Sequence, residues 1–267
     1  MEKAYDFEYD GKNLSDFGYM ICDFDKKSKE VVSNGSKITF MTAKIYGGTK
    51  TEPTGIQYDT FLEGKFCICN NPCRESNMSM TMDEVRLLSR WLNRKEDLKF
   101  KLLNDDYMKV YFEGSFNIEL VLYGGVVYGL ELTFKSNRPY ALAEEKTFYI
   151  KNKELNGEHL LYDLSDDVGH IYPKMIIHVE QDGDLKIINH VEDNGRLTLI
   201  KNCKAGEEIH MDYPMIDTSD STHAIQNDFN WNFFRIANTF RNNINKIIVS
   251  LPCSIEIRYS PIVKIGL

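Results

Sequence analysis

Chemistry-bearing motifs are scarce in this 267-residue chain. There is no P-loop, no GxGxxG after a strand, no GxSxG and no HExxH. Phosphate cradling, dinucleotide binding, serine hydrolysis and zinc proteolysis therefore have no local signature. Basic charge is also short: 32 Lys and Arg face 40 Asp and Glu, for a net charge of −8. A surface that grips nucleic acid needs cations to displace counterions, and this chain is not built for that. No run approaches the roughly 18 to 20 apolar residues of a membrane span. The opening MEKAYDFEYD has neither a basic nor an apolar signal region, so no secretory leader is expected. The six cysteines are accordingly expected as reduced thiols, not as a disulfide framework.

What is present points to folded β structure. The chain is 42% hydrophobic and 27% charged, which is globular, and its 12% aromatic content leans toward strands. One helix is legible in TMDEVRLLSRWLNRK. Thr81 with Glu84 three residues on is a capping-box pattern. Val85, Leu87, Leu88, Trp91 and Leu92 fall on one side at helical spacing, and Arg86, Arg90 and Arg94 form a stripe on the other. That stripe is either a solvated face or one that meets acidic groups.

Elsewhere the pattern is that of strands. The first forty residues read as short strands with a turn at Tyr9-Asp10-Gly11-Lys12. Residues 46–57, YGGTKTEPTGIQ, read as a loop or mobile hairpin tip. Ile118 to Phe134 reads as a hairpin around Gly124-Gly125. SNRPYALAEEKTF then breaks the pattern at Pro139, which places a domain junction near residues 139–144. Residues 1–141 carry 19 basic and 21 acidic groups, and residues 142–267 carry 13 and 19, so the second half is the acidic one. There KMIIHVEQDGDLKIINHV, EDNGRLTLI and EEIHMDY alternate as strand and turn without helical spacers, which argues a β-sandwich.

Few residues invite a chemical role. Cys67 and Cys69 in CICNNPC share a strand face near Cys73, but zinc would want a fourth ligand, and all six histidines lie beyond residue 158. His210 with Asp212, and His178 with Glu180, share strand faces as any alternating strand would allow. His170 reads as a loop residue. In NDFNWNFFRI, Phe229, Trp231 and Phe233 alternate as the core face of a strand. Asn230 and Asn232 would then face out or make edge hydrogen bonds. No catalytic, cofactor or metal residue is assigned.

The order of these segments resembles the distal tail proteins of long-tailed phages that infect Gram-positive bacteria. The likeness lies in YDFEYDGKNLSDFGYMI, in the helix with its RWLN, in LELTFKSNRPYAL at the junction, and in the succession IYPKMIIHVEQDGDLKIIN, EEIHMDYPMI, NDFNWNFFRI and SIEIRYSP. It implies a mainly β protein of two domains. Residues 1–141 would be a ring-forming belt, a β-sheet or split-barrel structure flanked by one helix and related to tail-tube subunits. Residues 142–267 would be a galectin-like β-sandwich. It further implies a structural, non-enzymatic role in the virion, at the tail tip, after assembly in the host cytoplasm. Six copies would form a ring joining the tail tube to the tip or baseplate and holding the fibre hub and receptor-binding proteins. DNA would be met only in transit, and no membrane is implied. The particle could be a phage, a prophage product or a tail-like bacteriocin. Some relatives carry an inserted carbohydrate-binding module, for which the close spacing of these segments leaves no room.

Physical reasoning adds a seam and an alternative. A ring of identical subunits needs a heterologous interface that closes, and free sheet edges suit it. Residues 46–57 and the strands around Leu120 to Phe134 are the expected seam. The alternative reading is a carbohydrate-binding module that contacts the host cell wall through the sandwich.

Overall fold

The computed structural model describes residues 4–24, 38–44, 46–58, 61–74, 76–104, 109–191, 195–239 and 242–266. Residues 25–37 and the Asp-Asn part of the expected turn before Gly195 lie outside them. The chain is mainly β and forms two compact units, Met1–Ala143 with Val263–Leu267, and Glu144–Ile262. The last residues therefore group with the first unit, where the sequence suggested a second domain running to residue 267. Val263 and Ile265 pack against the first hydrophobic core.

The first unit contains β1 (Phe7–Tyr9), β2 (Lys12–Asn13), β3 (Tyr19–Cys22), β4 (Ile38–Lys44), β5 (Thr51–Tyr58), β6 (Glu63–Asn70), α1 (Met82–Leu92), β7 (Leu98–Leu102), β8 (Val110–Tyr123), β9 (Val126–Ser136) and β10 (Ala141–Ala143). The main sheet runs β2-β1-β7-β8-β9-β6-β3, while among the described residues β4 and β5 pair with each other alone. The turn at Asp10-Gly11 has both residues at positive φ, as does Gly124-Gly125 between β8 and β9. Two successive left-handed residues match the twist of the flanking strands, which is why both hairpins close in two residues.

α1 begins where the sequence places it. Thr81 Oγ1 accepts from Glu84 N at 3.3 Å, and Thr81 N donates to Glu84 Oε2 at 2.6 Å. Val85, Leu88, Trp91 and Leu92 are buried, but Leu87, expected with them, is 56% exposed. Trp91 ties the helix to the sheet. Its ring stacks on Phe7 at 5.8 Å and on Phe17 at 4.5 Å, and its Nε1–H donates to the Tyr9 carbonyl at 3.1 Å. Phe116 lies at the middle of the aromatic core, within 6 Å of the rings of Phe7, Tyr9, Phe66, Phe100 and Phe134. Gly114 is required by close approach: a Cβ there would stand 2.2 Å from the Lys135 carbonyl oxygen.

The second unit contains β11 (Lys146–Asn152), β12 (Gly157–Tyr162), β13 (Gly169–Ile171), β14 (Lys174–Val179), β15 (Gly183–Asn189), β16 (Arg196–Cys203), β17 (Glu208–Asp212), β18 (Met215–Thr218), a four-residue helix α2 (Ile225–Asp228), β19 (Ile236–Asn238), β20 (Ile244–Val249) and β21 (Cys253–Tyr259), with β22 (Ile262–Val263) after it. It is a sandwich of a five-stranded sheet, β11-β21-β14-β17-β18, and a four-stranded sheet, β12-β20-β15-β16. Alternation supplies its core: Met175, Ile177 and Val179, Ile255 and Ile257, Leu185 and Ile187, and Ile247 and Val249 are all buried. Among the polar residues inside is Asn245. Its amide accepts from Ala237 N and donates to Ala237 O, at 2.8 and 3.0 Å, so a side chain docks β19 onto β20 as a strand would. α2 departs from the all-strand reading, and His170, expected in a loop, lies in β13.

Two outcomes are expected in urea denaturation of the full chain. Phe116→Ala should cost about 3–5 kcal/mol, because five neighbouring rings cannot collapse into the void. Thr81→Ala should cost about 1 kcal/mol through loss of the cap.

Candidate assembly surface

β8 is longer than the strands beside it, and this creates an open edge. β7 covers only its beginning, from Leu98↔Gly114 to Phe100↔Phe112, and β10 pairs with Val110 and Tyr111. On the other side β9 follows β8 all the way to Tyr123↔Val126. From Ser115 to Tyr123, then, one edge of β8 has no strand beside it among the described residues. The Asn93 amide covers the Phe116 carbonyl at 3.0 Å. An edge of this kind is a template for another strand.

The side chains near that edge are not those of a solvated tip. Leu120, Leu122, Tyr123, Val126 and Tyr128 are all exposed large hydrophobics. Tyr123 touches Tyr128 edge-on at 5.9 Å and Phe24 at 6.3 Å. Glu119 stands directly opposite Glu131 in the ladder, a like-charge pairing that weakens the isolated hairpin.

β4 and β5 add a second unfinished surface. Residues 46–57, read from sequence as a loop or hairpin tip, are the turn and most of β5. Every residue of β4 is exposed. Pairing puts Ile38 beside Tyr58 and Phe40 beside Ile56 on one face. A two-stranded ribbon is marginal alone in water, so an apolar face of this kind calls for something to pack against.

One edge in the second unit is closed instead of open, by the NDFNWNFFRI segment. β16 ends its sheet, and Asn230 covers it. Asn230 N donates to Leu199 O at 3.0 Å, its Oδ1 accepts from Leu199 N at 3.2 Å, and its Nδ2 donates to Leu197 O at 3.0 Å. Asn232 Nδ2 also reaches Leu197 O, and Thr198 Oγ1 donates to Asn232 O, both at 2.8 Å. The edge hydrogen bonds expected of these asparagines are thus present. The expected strand is not. Trp231 sits at φ +56 and is 57% exposed, while Phe229, Phe233 and Phe234 are buried. A left-handed residue in mid-segment breaks the two-residue alternation, so Trp231 does not join the core face with Phe229 and Phe233.

Several residues with chemical potential have partners within the fold. His178 Nδ1 and His210 Nε2 share the carboxylate of Glu208, at 3.0 and 2.6 Å, on the outer surface of β14 and β17. The hydrogen bond from His210 is the main reason the Glu208 carboxyl is held below the ordinary carboxylate range. Asp212 pairs with Lys174 and not with His210. A further histidine, His223, is buried with its Nδ1 2.6 Å from Glu207 Oε1 and its Nε2 3.4 Å from Asp228 Oδ2. Glu207 also accepts from Thr218 Oγ1 and Lys204 N, so this cluster fastens the β16–β17 turn to α2. Cys67 and Cys69 do lie on β6, with Cys73 exposed in the turn beyond it. The partner sequence reasoning missed is Cys22 on β3, whose thiol hydrogen-bonds Cys69 and is thereby pushed up. No group of three or more His, Cys, Asp or Glu among the described residues is arranged to hold a metal ion.

Comparisons with known proteins agree across both units. Residues 2–138 match the family model of a phage tail protein N-terminal domain, and residues 140–259 that of a phage tail C-terminal domain. No curated protein matches the chain. Among solved structures, the crystal structure of phage SPP1 Dit (gp 19.1), described as a paradigm of the hub adsorption apparatus in phages infecting Gram-positive bacteria, superposes with a TM-score of 0.62 at 14% identity. The match covers 97% of this chain and 99% of that one. At that identity the likeness is one of fold.

Trp231→Gly should shift the unfolding free energy by less than about 1 kcal/mol, since relief of the left-handed conformation offsets the lost ring contacts. Phe233→Ala should cost about 3–5 kcal/mol, and urea titration of both variants compares them. A carboxylate whose folded pKa is depressed adds stability above its unfolded value and loses it as pH falls through the folded one. Carboxyl-detected NMR titration should therefore place the Glu208 midpoint below the ordinary range and move it up toward that range in His210→Ala.

Proposed function

The chain belongs to this family of phage tail proteins, and on that premise we propose that it acts as a distal tail protein. Six copies close into a ring between the tail tube and the tail tip. The ring is the hub on which the tail-associated fibre protein and receptor-binding proteins assemble. The work is mechanical, and no substrate is transformed.

The observation that carries this reading is the open edge of β8 beside exposed Leu120, Leu122 and Tyr123, within a fold shared with SPP1 Dit along nearly the whole chain. A free edge can accept a different element of a neighbouring copy, and a contact between two unlike patches is the head-to-tail kind a closed ring needs. The β4–β5 ribbon supplies a second element to lay across the neighbouring copy. Its apolar face then leaves water only on assembly, and burying it stabilises the seam by about 25 cal/mol per Å². The net charge of −8 suits a channel through which DNA passes without being held.

Co-expression with the neighbouring tail proteins, followed by negative-stain microscopy and mass photometry, tests the proposal. Six-membered rings are expected for the native chain. Leu122→Asp with Tyr123→Asp should give subunits of unchanged thermal midpoint that no longer close. Rings that survive both this change and excision of residues 46–50 would overturn the seam, and a subunit that stays monomeric in assembled tails would overturn the ring. Gel shifts at low salt should show no tight DNA binding.

A further inference from the structure

The outer side of α1 carries a feature that neither the core nor the proposed seam uses. A groove of about 370 Å³ runs between the helix and the β1–β2 turn. Its apolar lining is Phe17, Leu87 and Trp91. Leu87 projects from the helix at 56% exposure, whereas Trp91 is held from below by the Phe17 ring 4.5 Å away and by its bond to Tyr9 O. Around this lining stand Arg90, Arg94 and Lys12, with Asp10 as the one carboxylate. None of the three cations has an ion pair among the described residues, in contrast to Arg86, which reaches Asp83 at 3.4 Å. Arg90 lies in the last turn of α1, whereas Arg94, expected on the same helical stripe, stands just past the C-cap Asn93, so the two guanidinium groups come from the helix and from the chain leaving it.

We propose that this groove docks an acidic segment of another tail polypeptide, one that sets an aliphatic or aromatic side chain between carboxylates. Charge argues for the occupant. In a chain of net charge −8, three cations without ion pairs among the described residues ring one apolar recess. Guanidinium groups bind carboxylates in a fixed two-pronged geometry, so Arg90 and Arg94 grip the acids while Leu87 and Trp91 bury the anchor. Interfaces concentrate their binding energy in such Trp and Arg clusters. A nucleic-acid backbone would engage the cations but leave the apolar lining empty, and the rest of this acidic surface would repel it. The inference rests on the chain being part of a tail and not on its forming a ring.

The test uses purified, assembled tails carrying p-benzoylphenylalanine at position 87. Irradiation should cross-link it to a different polypeptide, at a peptide in which Asp or Glu flanks an apolar residue. Adding Arg90→Glu and Arg94→Glu should cut the cross-link at least tenfold, with the circular dichroism and thermal midpoint of the free chain unchanged. Arg90→Lys with Arg94→Lys should retain most of it. Cross-linking to a peptide without carboxylates, to DNA or to a second copy of this chain would overturn the proposal, as would a yield indifferent to charge reversal or no cross-link at all. Because microscopy of the same particles scores the ring separately, a missing ring with an intact cross-link would remove only the ring.

Discussion

Every open β-sheet ends in a row of backbone N–H and C=O groups that must be satisfied by something, and the way this chain meets that demand organises both units. In the second unit the demand at β16 is met internally. The Asn230 amide offers the donor and acceptor that a neighbouring strand would have offered, and Asn232 and Thr198 complete the row. In the first unit the outer half of β8 has no strand beside it among the described residues, and the Asn93 amide meets only its Phe116 carbonyl. One edge is sealed by side chains and another is left available, which directs any further strand pairing to a chosen place.

Aromatic residues divide along the same line. Phe7, Phe66, Phe100, Phe116 and Phe134 fill the first core at ring separations of 4.5 to 6 Å. That packing lies under the inner part of β8 and β9, whose outer part continues as a paired hairpin to Tyr123↔Val126. Tyr123 and Tyr128, at the outer part of that hairpin, are exposed and touch each other. Titratable groups follow a comparable division. Burial pushes the Cys203 and Cys253 thiols up to about 12, which leaves them inert, and His223 is spent on Glu207.

Features set by neighbours in sequence were legible in advance. Thr81 and Glu84 announced the helix, Gly124-Gly125 the long hairpin, and Asp182-Gly183 the turn between β14 and β15. Features set by distant residues were not. Leu87 has the spacing of a core residue, yet the sheet beneath α1 is met by Leu88, Trp91 and Leu92, so Leu87 is left outside. Trp231 has the alternation of a strand, but its partners across β16 are contacted by asparagine side chains, and that path needs a left-handed residue. The Cys22–Cys69 and Glu207–His223 contacts depend on strand order and on a turn, and neither leaves a local trace.

By itself, then, the sequence determined the class of protein: mainly β, with one capped helix, an acidic balance, and no motif for covalent, metal or nucleotide chemistry. Turn residues, caps and alternation act over two to four positions, and a chain displays them without being folded. Tertiary structure decided which sheet edges were sealed by side chains, which aromatics were buried, and which arginines stood beside an apolar recess. Those outcomes follow from the order in which strands lie side by side and from their unequal lengths, quantities that exist only once residues far apart in the chain have met.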